Sequence, residues 1–306
     1  MSARTNDTGS LLAQGRPVAH PLRRALPLFL LAGLCLSSLD ATAKYLVRDH
    51  PLLLVVWARY AGQMVVVTPY AWHRAGHGFW RTRSLRMQLV RSAFLLAATV
   101  GFFAGLRYLP LAEASSITFM APMIVVALSL PVLGERPTRA RIVASLAGFT
   151  GILVLARPGS SVLHPAVVFL VITAVCNALY QLYTRKLREE NPHTMLFYSA
   201  LVGAIGATIV LPFLLEETII TAKDAGLLML SGVFAGLGHG LMIGAYSRAP
   251  ASQLAPFTYL QMVWATLFGA VFFGQHPDAV SALGMAVIMA SGIALALWER
   301  RRARLL

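Results

Sequence analysis

PLAEASSITFMAPMIVVALSLPVLGERPT, residues 110–138, lies without a gap on PASQLAPFTYLQMVWATLFGAVFFGQHPD, residues 250–278. The shift of 140 pairs Thr118 with Thr258, Phe119 with Tyr259, Gly134 with Gly274 and Pro137 with Pro277. The same spacing recurs elsewhere. Gly101-x-x-x-Gly105 answers to Gly240-x-x-x-Gly244, Phe29 and Leu39 to Phe169 and Leu179, and Cys35 to Cys176. Two unrelated apolar stretches do not keep a near-constant offset through separate segments, so the chain reads as a duplicated unit.

Composition says what kind of unit is duplicated. Hydrophobic residues make up 57% of the 306 positions and charged residues 12%, against roughly 45–50% and about 25% in soluble domains. A membrane span needs about 20 mostly apolar residues. Ten such segments are predicted, at 26–47, 53–72, 89–108, 111–132, 139–157, 163–184, 194–215, 225–246, 250–273 and 279–298. The expected fold is an all-α membrane protein of ten transmembrane helices. Its expected parts are a disordered tail at 1–25, five-helix repeats at 26–158 and 159–298, and a basic tail at 299–306. The short loops leave no room for a soluble domain.

The net charge of +14 invites a nucleic-acid reading, but its distribution removes it. Of 26 Lys and Arg, 20 fall in the tails and loops that a ten-span count puts on one side, Arg74, Arg81, Arg91 and Arg185 among them. The other side carries Arg48, Arg107, Arg157 and Lys223. That asymmetry marks the basic side as cytoplasmic, so both termini are expected inside, with a bacterial inner membrane as the host. Five spans per repeat is odd, so the second repeat runs through the membrane in the opposite sense to the first. Inverted repeats are the architecture of alternating access.

Charges inside spans are costly and face a cavity or a partner. Four qualify: Asp40 and Lys44, one turn apart on the first span, Arg59 on the second, and Glu113 at the start of the fourth. Two readings stand. They form an ion-pair network fixing helix packing, or a polar site whose cations meet an anionic group on a solute. In the second repeat Asp40 aligns with Tyr180, Lys44 with Thr184 and Glu113 with Gln253, so one half offers charge and the other neutral hydrogen-bonding groups. Asn177, Tyr180, Gln181, Gln253, Tyr259 and Gln261 make up that neutral set, which favours a zwitterionic or carboxylate-bearing solute. Gly101, Gly105, Gly236, Gly240 and Gly244 sit at helix-contact spacing. Pro122 is expected to break the fourth span, and Pro256 to kink the ninth. His239 stands between two glycines and is read as packing. Cys35 and Cys176 imply neither a disulfide framework nor a metal site. No cofactor is implied, and no nucleophile–base set or Walker motif appears that would make the chain an enzyme or an ATP-driven pump.

The tracts SLDATAKYL (38–46), VVWARY (55–60), LRYLPLAEASSITFMAP (106–122), LGERP (133–137) and GFTGILVLARPG (148–159) resemble the EamA-type branch of the drug/metabolite transporter superfamily. The resemblance covers residues from about 26 to 298 and implies a secondary transporter of a small molecule. Relatives with Asp-x-x-x-Lys in the first span and Trp-x-Arg in the second resemble permeases for riboflavin and S-adenosylmethionine, and exporters of opine metallophores. Efflux is the expected direction, with uptake of a cofactor-like solute as the alternative. The lipid bilayer and a small-molecule substrate are the expected partners, protons or a counter-solute the coupling species, and a homodimer an assembly compatible with this architecture. A membrane-embedded enzyme or a passive channel is the competing class.

Topology is directly checkable. A reporter fused after Glu190 reads cytoplasmic and one fused near Glu217 reads external; the reverse pattern removes both the orientation and the inversion.

Overall fold

Lipid supplies no hydrogen bonds, so a chain this apolar satisfies its backbone internally, and helices do that within each segment. The computed structural model describes residues 21–134, 137–155, 164–187, 189–214, 218–246, 248–249, 254 and 257–302, and among these no strand occurs. The helices are α1 (Pro21–Asp49), α2 (Leu52–Ala75), α3 (Leu85–Leu106), α4 (Leu111–Thr118), α5 (Ala121–Leu133), α6 (Arg139–Leu155), α7 (Val167–Lys186), α8 (Pro192–Leu214), α9 (Ala222–Tyr246), α10 (Leu260–Phe273) and α11 (Ala279–Arg302). A 3-10 turn over Gly76–Gly78 follows α2. α1 includes residues 21–25 and α11 includes residues 299–302, positions assigned from sequence to the two tails.

Seven described stretches are long and apolar enough to cross a membrane: Arg23–Asp49, Leu52–Gly78, Leu85–Leu106, Leu111–Leu133, Val167–Lys186, Pro192–Phe213 and Ala222–Tyr246. Leu260–Phe273 and Ala279–Leu295 are shorter apolar helices. The interior is apolar, as in a water-soluble domain, but it also takes in charged and amide side chains, and the exterior is apolar too. Lys44, Arg59, Gln63, Gln88, Arg91 and Glu113 are buried, whereas Val65 is 74% and Phe213 82% exposed. Such an exterior is stable only against lipid. The chain is an all-helical, multi-pass membrane protein.

Helix pairing follows the 140-residue shift. α1 packs on α9, and α7 on α3; α2 packs on α9, and α8 on α3; α1 packs on α10, and α7 on α5. The remaining principal pairs, α2 with α8 and α6 with α11, are each made of corresponding elements. At the last of these, a Cβ placed on Gly148 would lie 3.2 Å from Ser291 Oγ, and one on Gly151 would lie 2.8 Å from Ile288 Cγ1. Positions 148 with 291 and 151 with 288 exchange under the shift.

The matched stretches that opened the sequence reading also break alike. The fourth span stops at Phe119, turns through Met120 and restarts as α5, with Pro122 in its first turn, where a missing N–H costs nothing. The break therefore precedes Pro122 rather than falling on it. In the second repeat α10 restarts after Tyr259, whose backbone (φ −68°, ψ −14°) lies close to that of Phe119 (φ −67°, ψ 1°). α5 and α10 both end on a left-handed glycine, Gly134 at φ 70° and Gly274 at φ 61°, a conformation that glycine adopts without a Cβ penalty. Pro256 and Gln253 lie outside the described residues.

The glycine motifs divide by contact. A Cβ on Gly101 would meet Thr173 Oγ1 at 2.7 Å, one on Gly105 would meet Leu170 at 2.5 Å, and one on Gly236 would meet Val66 at 2.6 Å. Gly62 and Gly232 cross backbone to backbone, with a Cβ on Gly232 only 2.4 Å from Gly62 Cα. Gly240 and Gly244 do not share this role, because a Cβ there would approach nothing nearer than 4.0 Å and 3.3 Å. The motif continues along α9, but its last glycines border an open groove with Val66, Tyr70 and Arg74. Gly232→Ala is expected to destabilise by about 1–3 kcal/mol, as overpacking does, and Gly240→Ala to be neutral or slightly stabilising through helix propensity. Thermal unfolding in detergent compares the two; equal losses would refute the distinction.

Candidate functional site

The broken helices face each other. The Phe119 and Tyr259 rings stack with centroids 5.1 Å apart and planes 23° from parallel, so corresponding residues of the two repeats touch. A cavity of about 410 Å³ opens beside them, lined by Asp40 of α1, Thr118 of α4, Asn177 and Gln181 of α7, Thr258, and Gln261 of α10. Tyr259 reaches this position because Gly292 of α11 makes room; a Cβ at 292 would fall 1.7 Å from the tyrosine hydroxyl oxygen.

A second pocket of about 200 Å³ shares Asp40, Thr118, Asn177 and Gln261 with the first and adds Arg59, Thr99 and His239. Arg59 is only 4% exposed, and among the described residues its Nη1 finds no hydrogen-bond acceptor. Its guanidinium carbon lies 4.1 Å from the Tyr60 ring centroid. Tyr60 is itself fixed by hydroxyl contacts to Thr99 Oγ1 at 2.9 Å and the Leu95 carbonyl at 3.2 Å. His239 places Nδ1 2.8 Å from the Ala235 carbonyl and lines both this pocket and a third of about 820 Å³. It is therefore a wall residue as well as a packing one.

The third pocket holds Tyr180, apart from the central cavity. Arg91 crosses here from α3, donating through Nη2 to the Tyr180 hydroxyl at 3.0 Å, through Nε to Thr184 Oγ1 at 2.7 Å and through Nη1 to the Met195 carbonyl at 3.0 Å. Counting Arg91 among loop charges missed this clamp. Its signal was the apolar sequence on both sides of it, QLVRSAFLL, which puts the guanidinium inside the span.

The four intramembrane charges separate into two groups. Asp40 and Arg59 line the second pocket together. Lys44 does not join them: among the described residues no ion pair links it to Asp40, and Nζ donates to the Leu106 and Leu109 carbonyls at 3.0 and 2.6 Å. It caps the C-terminal end of α3, where the helix dipole favours a cation. Glu113 is buried in α4, lines none of the three pockets, and is one of the charged groups acting on Lys44. Gln275, which aligns with Glu135, accepts a hydrogen bond from the Leu111 amide at 3.2 Å and thereby helps cap α4; Glu135 lies outside the described residues. Asn177, Gln181, Tyr259 and Gln261 converge on the central cavity.

Residues 23–157 and again 164–298 match the EamA-like transporter family. The chain belongs to the EamA-like transporter family. It is 24% identical over 275 residues to the S-adenosylmethionine uptake transporter of Rickettsia prowazekii, covering 89% of this chain and 92% of that one. It is 27% identical over 291 residues to the riboflavin transporter of Vibrio cholerae, covering 93% and 96%. An uncharacterized transporter of Helicobacter pylori is 30% identical over 207 residues, 65% of this chain and 70% of its own length. A solved crystal structure superposes with a TM-score of 0.66 at 19% identity, covering 92% of this chain and 98% of that one, and bears on the fold alone. This EamA protein is thus a membrane transporter of the drug/metabolite superfamily, not an enzyme, and its partners are the bilayer and a small molecule.

Removing the Lys44 ammonium leaves the Leu106 and Leu109 carbonyls without this donor. Lys44→Met should cost about 1–3 kcal/mol, and adding Asp40→Ala should not restore the loss. Thermal unfolding of the single and double variants in detergent decides; recovery in the double variant would re-establish a direct Asp40–Lys44 pair.

Proposed function

We propose that the protein is an inner-membrane secondary transporter, with ten spans in two inverted five-helix repeats and both termini cytoplasmic. It moves a small polar metabolite, carboxylate-bearing or zwitterionic, by alternating access. The observation that carries this reading is the cavity at the Phe119–Tyr259 stack, where broken helices of both repeats and the side chains of Asp40, Asn177, Gln181 and Gln261 converge. Discontinuous helices at a repeat interface are where secondary transporters hold their solutes, because the interrupted backbone offers polar groups inside the bilayer. The helix pairs that exchange under the 140-residue shift, and the two family matches, support the repeat boundaries near residue 160. The split of basic residues supports the orientation.

The lining favours a solute with a planar ring. An aromatic pair offers stacking area, and the surrounding amides and Asp40 offer hydrogen bonds to ring substituents. Relatives matched along about nine-tenths of the chain are named for S-adenosylmethionine uptake and riboflavin transport, and each of those solutes carries a heteroaromatic ring. We therefore propose uptake of a cofactor-like solute in place of the efflux expected from sequence, driven by a proton or counter-solute gradient.

Purified protein in liposomes tests this with labelled S-adenosylmethionine and riboflavin as probes. Wild type accumulates one of them, and Phe119→Ala or Tyr259→Ala lowers its flux at low concentration about tenfold, the equivalent of one lost aromatic contact. Flux equal to wild type in both variants would remove the cavity from the solute path.

A further inference from the structure

Arg59 is the least compensated charge around the cavity. It is buried, it lines a pocket together with Asp40, its Nη1 has no acceptor among the described residues, and its guanidinium carbon lies 4.1 Å from the centroid of the neutral Tyr60 ring. The other polar residues lining that pocket are Thr99 of α3, Thr118 of α4, Thr173 and Asn177 of α7, His239 of α9 and Gln261 of α10. All are neutral or basic. A guanidinium withdrawn from water with one of its nitrogens unpaired is unfavourable, and its planar fork matches an oxyanion better than any single hydroxyl or amide. Lys44 does not share this role because two backbone carbonyls already hold its ammonium.

We propose that Arg59 is the anion-binding pole of the cavity. The carboxylate, or an equivalent oxyanion, of the solute docks on its guanidinium, and Asp40 across the same pocket takes the cationic part. In the empty protein Asp40 serves as the weak internal substitute for that anion. The assignment rests on the reading of this cavity as the solute site and adds the direction in which a zwitterion lies within it.

Acetate tests the pole without knowledge of the transported solute. Thermal unfolding of full-length protein in detergent is followed during titration with sodium acetate or neutral acetamide, at constant ionic strength. Acetate, not acetamide, stabilises Asp40→Asn, with a half-effect at about tenfold lower concentration than in wild type, because the competing carboxylate is gone. Arg59→Gln shows no acetate response, and Arg59→Lys, which keeps the charge but not the fork, a weakened one. No acetate response in Asp40→Asn, or an undiminished response in both Arg59 variants, overturns the proposal. Should acetate behave as expected while neither S-adenosylmethionine nor riboflavin is transported, the pole stands and the ring-bearing solute class falls. Should S-adenosylmethionine, the probe that carries a carboxylate, be transported equally well by wild type and Arg59→Gln, the cavity reading stands and the pole falls.

Discussion

A polar group inside hydrocarbon has no water to turn to, and nearly every feature of this protein answers to that cost. Lys44 meets it with the free carbonyls at the end of α3, and Arg91 with a hydroxyl pair and a carbonyl from the opposite half. Gln275 meets it at the start of α4. Each arrangement joins elements that are distant in sequence, so satisfying the polar group also fixes the packing. Arg59 breaks the pattern: it is as buried as Lys44 or Arg91, yet among the described residues its Nη1 has no acceptor. The exception lies on the cavity wall, where the docking of a solute's anion is proposed.

The repeat was legible because it is written in residue identity at a near-constant offset, and identity controls backbone geometry at glycines and aromatics. Gly134 and Gly274 adopt the same left-handed conformation, and Phe119 and Tyr259 mark the same interruption and then touch. The cavity amides were legible for a related reason: Asn177 and Gln181 are one turn apart, and a polar stripe on an otherwise apolar helix turns inward. The partner of Lys44 was not legible. It is backbone, 62 and 65 positions away, and a carbonyl carries no signature in sequence. The i,i+4 spacing to Asp40 was a true statement about the helix face but not about where a four-carbon side chain ends. Gly240 and Gly244 fail similarly, since the small-residue motif records spacing and not which neighbour lies opposite.

The two halves share backbone but not chemistry. Tyr180 and Thr184 stand where the first half has Asp40 and Lys44, and in place of charges of their own they receive one, the Arg91 guanidinium. The acid and base of α1 and the borrowed guanidinium on α7 thus stand at corresponding positions of the two halves, but only Asp40 lines the central cavity, and the Arg91 clamp lies in the third pocket. A perfectly symmetric pair of halves would hold a solute equally well in either orientation. In the proposed cycle, unequal chemistry on equal scaffolds lets the backbone exchange roles while the solute keeps one orientation.

That division also explains the placement of the aromatic stack. Under alternating access each half takes up the conformation the other has just left, so a contact that must survive in both states belongs between corresponding residues, near the axis that relates them. Phe119 against Tyr259 meets that condition, and so does the seam of α6 and α11, where positions 148 with 291 and 151 with 288 exchange. The Arg91 clamp does not: its receivers are all in the second half, and the positions that correspond to Tyr180 and Thr184 hold an acid and a base. A contact with no counterpart weights one conformation over the other. In the proposed alternating-access cycle the symmetric contacts are the pivot, and the clamp is the bias that a bound solute has to overcome.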